Sequence, residues 1–132
     1  MPRPPYPFIP KSNRWLEAGQ FFDIPLNDGR FACGRVMVVE VQGRRSFVVG
    51  LMDWIGADVP TSDDLAERGV LNQAITNIDA IGNNGGSIRG QRPLDWDGIA
   101  AVDPHDGRVG AKSLVWGWAT VKNRAEAAFS DE

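Results

Sequence analysis

The chain's one histidine, His105, stands in Asp103-Pro104-His105-Asp106-Gly107, between two carboxylates. An acidic neighbour can orient an imidazole and raise its pKa, so the group has the ingredients of a general base. It lacks a target, because no serine or cysteine beside it sits in a recognisable nucleophile elbow, and the flanking Pro and Gly read as turn chemistry. Just upstream lies Asp95-Trp96-Asp97-Gly98, so four carboxylates fall within twelve residues. They lack the ligand spacing and the closing bidentate glutamate of a calcium loop. Paired carboxylates also serve glycoside hydrolysis, but that requires a set separation across a cleft, which spacing in sequence does not supply. The plain reading is acidic turns closing hairpins. The sharper one is an acidic loop tipped by an aromatic that meets a partner, since tryptophan is enriched at binding hot spots. The candidate contact residues are therefore Asp95, Trp96, Asp97, Asp103, His105 and Asp106, and no residue is assigned a catalytic role.

Other chemistry is thinner still. A single cysteine, Cys33, excludes an internal disulfide and, with one histidine, leaves no zinc set, so no metal or cofactor is expected. Cys33 falls in a strand-like run and reads as a buried, inert thiol. Gly82-Asn83-Asn84-Gly85-Gly86 is not followed by the Lys-Ser or Lys-Thr of a phosphate loop and reads as a turn. Arg44, Arg45, Arg89 and Arg92 sit in a turn and a loop, as a solvated surface would place them. The net charge is −3. Nucleic-acid binders usually carry a basic face, so nucleic acid is not expected as a partner.

The elements that must position these groups are mostly strands. Gln20 to Trp54 reads as a three-stranded antiparallel meander: two aromatic-rich apolar runs about Asn27-Asp28-Gly29, a second turn at Gln42–Arg45, and a third strand from Ser46. Phe47, Val49 and Leu51 alternate with Val48, Gly50 and Met52, so both faces are apolar and both need cover, by closure into a barrel or by a helix. Thr61 or Ser62 can cap a short helix carrying Asp63 and Asp64 in its first turn and Leu65 and Ala66 on its buried side. Val70 to Ile81 fits either period, with a strand over Ala74–Ile81 preferred. Arg89 to Gly98 reads as a polar loop, Ile99–Val102 as a short strand, Ala111–Lys122 as the last strand, and Asn123–Glu132 as a polar tail with a helical turn at most. Residues 1–12 form a proline-rich extended arm, with Tyr6, Phe8 and Ile9 covering apolar surface or, alternatively, offered to a proline-recognising partner. The expected fold is a single domain over residues 1–132. It is mainly β (α+β), a barrel-like antiparallel sheet of six or seven strands with one or two short helices. No apolar signal region or 18-residue apolar run appears, so neither export nor a membrane span is expected and the expected compartment is the cytoplasm.

Within the meander, Phe21-Phe22-Asp23-Ile24-Pro25-Leu26-Asn27-Asp28-Gly29-Arg30-Phe31-Ala32-Cys33-Gly34-Arg35-Val36 resembles the N-terminal motif of the immunity protein 26 family. That motif runs aromatic-x-Ile-Pro-Leu, an acidic-Gly-Lys/Arg turn, then aromatic-x-x-Gly-Arg-Val. Ile88-Arg89-Gly90-Gln91-Arg92-Pro93-Leu94 is similar to the family's second motif, with Arg89 standing between Ile88 and Gly90. The resemblance implies a small β-rich bacterial protein that binds and neutralises a cognate toxin domain without chemistry of its own. The acidic balance would suit a basic toxin such as a nuclease. The competing readings are a small hydrolase using His105 with a carboxylate, and a regulatory module docked through the proline-rich arm.

Overall fold

The computed structural model describes residues 3–39, 45–100 and 115–130. The expected meander is present as β1 (Gln20–Pro25), β2 (Phe31–Val39) and β3 (Ser46–Gly56). At the first turn Gly29 takes φ 89°, the left-handed conformation that glycine adopts without cost. β4 (Val70–Asn77) pairs antiparallel with β3, and β5 (Ile88–Gln91) pairs antiparallel with β1. The result is an open five-stranded sheet in the order β4-β3-β2-β1-β5.

The sheet is mainly β as expected, but it does not close into a barrel. The apolar residues on both faces are covered instead by two different layers. On one face Phe22, Ile24, Val36, Phe47, Val49 and Leu51 pack under α1 (Asp79–Gly82) and α2 (Trp118–Ala128), which contribute Ala80, Ile81, Val121 and Ala125. On the other face Phe21, Cys33, Met52 and Trp54 pack beneath Leu65, and Met37, Val48 and Ile75 pack beneath Leu94. Ile99 touches both of these last groups. With cover supplied by helices on one side and by loops 61–69 and 92–99 on the other, nothing drives the two edge strands to meet.

Several local expectations are corrected. Of the strand expected over Ala111–Lys122, the described residues keep one β-bridge, from Val115 to Ile75, and from Trp118 onward form the start of α2. Val121, Ala125 and Phe129 recur every fourth residue and are buried, so the helical period wins over the β-propensity of the tryptophans and valines. The same helix takes in most of the segment expected to be a polar tail. β4 begins at Val70 and stops at Asn77, so the strand preferred over Ala74–Ile81 is displaced towards the N-terminus. The Asn77 side chain accepts a hydrogen bond from the Asp79 amide at 2.9 Å, which turns the chain into α1. Arg89–Gly98 is not wholly loop: its first residues belong to β5, and Leu94–Asp97 form a 3-10 turn. Ile99 and Ala100 are not in a strand, and the rest of the expected strand Ile99–Val102 lies outside the described residues. Asp63–Leu65 form a 3-10 turn where a short helix was expected, with Leu65 fully buried.

The arm packs as its side chains suggest. Phe8 exchanges two backbone hydrogen bonds with Ile88, and Tyr6 and Phe8 lie against the helix-side core, whereas Ile9 is 58% exposed. One close approach constrains the meander. Phe22 and Gly34 are cross-strand partners in β1 and β2, and the Phe22 ring occupies the space a side chain on Gly34 would need. A Cβ there would lie 2.6 and 2.8 Å from Phe22 Cε2 and Cε1. Gly34→Ala is therefore expected to cost about 1–3 kcal/mol through overpacking. Urea denaturation would show this as a lower midpoint at unchanged slope.

Candidate functional site

The loop from Arg92 to Gly98 leaves β5, crosses the open face of the sheet and is held there by charge. Arg35 projects from β2 on the face that also carries Cys33 and Met37, and its side chain is 0% exposed. Its Nη1 donates to Asp97 Oδ2 at 3.0 Å, and its Nη2 donates to the carbonyls of Arg92 and Pro93, at 2.5 and 3.2 Å. Asp97, also 0% exposed, accepts from Arg92 through Nε (2.8 Å) and Nη2 (2.9 Å), a bidentate pair. Its fourth donor is the backbone N–H of Glu67 at 3.0 Å. Glu67 is a non-glycine residue at φ 62°, so the chain accepts a strained backbone to aim that amide. Arg92 also reaches Ser62 Oγ at 3.5 Å. Asp97 thus knits β2, loop 61–69 and loop 92–98 into one body.

These contacts set the electrostatics. The Arg92 guanidinium, with the Glu67 amide and Arg35 behind it, holds the Asp97 carboxyl far below the usual carboxylate range, against the opposing effect of burial. The same pair raises Arg92. A second buried carboxylate, Asp23 on β1, accepts from the Ser87 amide and from Arg89 Nε, both at 2.9 Å, and ties β5 down from its other end. Gly86 packs against the Asp23 carbonyl so closely that no side chain fits. That close approach to β1 is what the glycine-rich run is used for.

On the outside of this body stands Trp96. Within the 3-10 turn Leu94 and Asp97 face inward, but the Trp96 side chain is 65% exposed, the most exposed large apolar residue among those described. The Arg92 guanidinium lies 5.3 Å from its ring centroid, a cation–π contact that steadies the indole from below. Asp95 is exposed beside it.

The candidate contact residues therefore divide. Asp95 and Trp96 are both exposed. Asp97 is corrected: with its side chain fully buried and four donors on its oxygens, it anchors the loop and offers no carboxylate to a partner. Asp103, His105 and Asp106 lie outside the described residues. Sequence reasoning missed Arg35 and Arg92, assigning the first to a strand and the second to a solvated surface. It also missed Asp63 and Glu67, which the Asp97 and Arg92 contacts bring to the same surface. An arginine amid the apolar run of β2 was the available signal, because a buried guanidinium demands a carboxylate elsewhere in the chain.

Among the described residues no group of three His, Cys, Asp or Glu side chains is arranged to hold a metal ion. No described helix is long and apolar enough to cross a membrane. Cys33 is fully buried, and desolvation pushes its thiol far above the ordinary value. No protein-family model, curated protein or solved structure matches the chain.

Two outcomes are expected. Asp97→Ala leaves two inward guanidiniums without a counter-charge and should cost about 3–5 kcal/mol in chemical denaturation. Because the folded protein binds the Asp97 proton more weakly than the unfolded chain, the stabilisation is complete above the ordinary value of 3.8. It is lost as pH falls through and below that value. The stability gap between the parent and Asp97→Asn should accordingly narrow on acidification, and a constant gap would contradict the assignment. For Cys33, an aromatic disulfide reagent at mildly alkaline pH should label the native protein no faster than global unfolding permits, and label it at once in denaturant.

Proposed function

We propose that this chain is a non-enzymatic immunity protein that neutralises a cognate bacterial toxin domain by binding and covering it. The observation that carries the proposal is Trp96: a large apolar side chain held 65% exposed on a loop whose base is a buried ion-pair network. A tryptophan left in water by a loose tip has no particular meaning. One that is displayed by a rigid support loses little freedom on docking, which is what a binding hot spot requires.

The kind of partner follows from the Phe21–Val36 resemblance, which implies a toxin-neutralising role. Further support comes from where the two resembling stretches meet. Arg35, in the Gly34-Arg35-Val36 of the first, donates to the carbonyls of Arg92 and Pro93 in the second. The two stretches that carry the resemblance thus meet at the base of the loop that holds Trp96.

The test is co-expression in a bacterial host with the toxin domain encoded beside this chain's gene. The full chain is expected to restore growth and to co-purify with the toxin domain. Trp96→Ala should weaken that complex by about thirtyfold or more, the loss of a hot-spot tryptophan. His105→Ala should protect fully if no catalysis is involved. Absence of rescue by the full chain would refute the proposal, and loss of protection in His105→Ala alone would transfer it to an enzyme.

A further inference from the structure

We infer that the docking surface extends from Trp96 across the neighbouring loop 61–69, and that its occupant is a cationic protein surface whose lysine or arginine side chains flank a recess for the indole. The inference rests on the binding-protein reading and specifies the partner's chemistry. Asp97 brings the two loops together: its Oδ1 accepts from the Glu67 amide and from Arg92, while Arg92 Nη1 reaches Ser62. The exposed side chains of Asp63 and Glu67 therefore stand on the same surface as Asp95 and Trp96.

The charge of that surface is one-sided for a structural reason. From Asp53 to Arg68 the sequence carries five carboxylates and one guanidinium. That guanidinium, Arg68, is turned towards the Asp53 carbonyl at 3.5 Å. Arg35 and Arg92, the other cations nearby, both turn inward onto the buried Asp97 carboxylate, and Arg92, whose face lies against Trp96, also feels the Asp63 charge. Asp64 is used locally, accepting from the amide and hydroxyl of Thr61 at 2.9 and 3.0 Å. Asp63, Glu67 and Asp95 remain as outward carboxylates around an exposed indole. An apolar centre with a charged rim of one sign is the pattern of an electrostatically steered interface. Its rim governs association rate and salt dependence, and its centre governs residence time. The negative quadrupole of the indole face adds to the preference for ammonium or guanidinium groups.

The probe is immobilised poly-L-lysine, with poly-L-glutamate as its opposite, read by biosensor binding of the full chain at low and at near-physiological salt. The full chain should bind poly-L-lysine, more weakly as salt rises, and should ignore poly-L-glutamate. The variant Asp63→Asn/Glu67→Gln/Asp95→Asn should lose at least about tenfold in affinity and most of its salt dependence. Glu17→Gln/Asp28→Asn/Glu126→Gln changes the net charge by the same amount at residues outside these two loops and should stay within about threefold of the parent. Trp96→Ala should release poly-L-lysine faster. Equal losses in the two triple variants, or binding to poly-L-glutamate, would overturn the inference. The co-expression assay reports separately on the parent reading: toxin rescue that survives the Asp63/Glu67/Asp95 substitutions leaves the immunity role standing and overturns this surface.

Discussion

A guanidinium buried in a β-sheet face obliges the rest of the chain to answer it. Arg35 is the largest fully buried side chain among those described, and it sits among Phe21, Cys33 and Met37, where an unpaired charge would be very costly. Its answer comes from sixty-two residues away, as Asp97, and the loop that delivers Asp97 must cross the sheet to do so. In crossing, the loop lays Leu94 and Ile99 over the apolar residues of that face. The part of the cover that loop 92–99 supplies in place of barrel closure is therefore held by the ion pair. So is the strained turn at Glu67, whose amide completes the coordination of the same carboxylate.

This dependence explains which parts of the molecule could be read from sequence. The meander was legible because each cue is local: Asn27-Asp28-Gly29 supplies a turn conformation, and alternating apolar residues on either side supply the period. Leu65 was legible for the same reason, as the apolar residue after a pair of first-turn aspartates. The second half was less so, because its elements are set by partners distant in sequence. β5 is four residues long, lies between two glycine-containing segments, and exists because β1 and Phe8 both supply backbone partners to Ile88. α2 contains tryptophan, threonine and valine in its first turn, which favour strands locally. Its identity emerges only when Val121, Ala125 and Phe129 are set against the core they fill.

The candidate site shows the same division. Trp96 could be picked out by type, since an aromatic between two aspartates in a turn has few reasons to be buried. Asp95 and Asp97 could not be told apart, because the sequence shows two like carboxylates two residues apart. In a 3-10 turn, residues two apart point in different directions, so one reaches inward to Arg35 and Arg92 and the other faces water. The contribution of Asp63 and Glu67 was hidden because nothing in the local sequence links loop 61–69 to loop 92–98. Only the shared carboxylate does.

An ion pair removed from water is a poor way to gain stability, since desolvation offsets most of the attraction and well-packed apolar residues of the same volume would serve about as well. What the arrangement supplies here is registry. Leu94 and Ile99 make only non-directional apolar contacts with Met37, Val48 and Ile75, which set no register by themselves. Asp97 does set one, because it must satisfy two guanidiniums and an amide at once, and the planar fork of Arg35 reaches that carboxylate and two carbonyls in fixed directions. Fixing Asp97 fixes the 3-10 turn, and fixing the turn fixes the direction of Trp96. A lysine–glutamate contact at the surface would have left the indole free to wander. The buried arginine in β2 therefore acts at a distance on the exposed face, converting a fold-defining stretch into the support of a display loop.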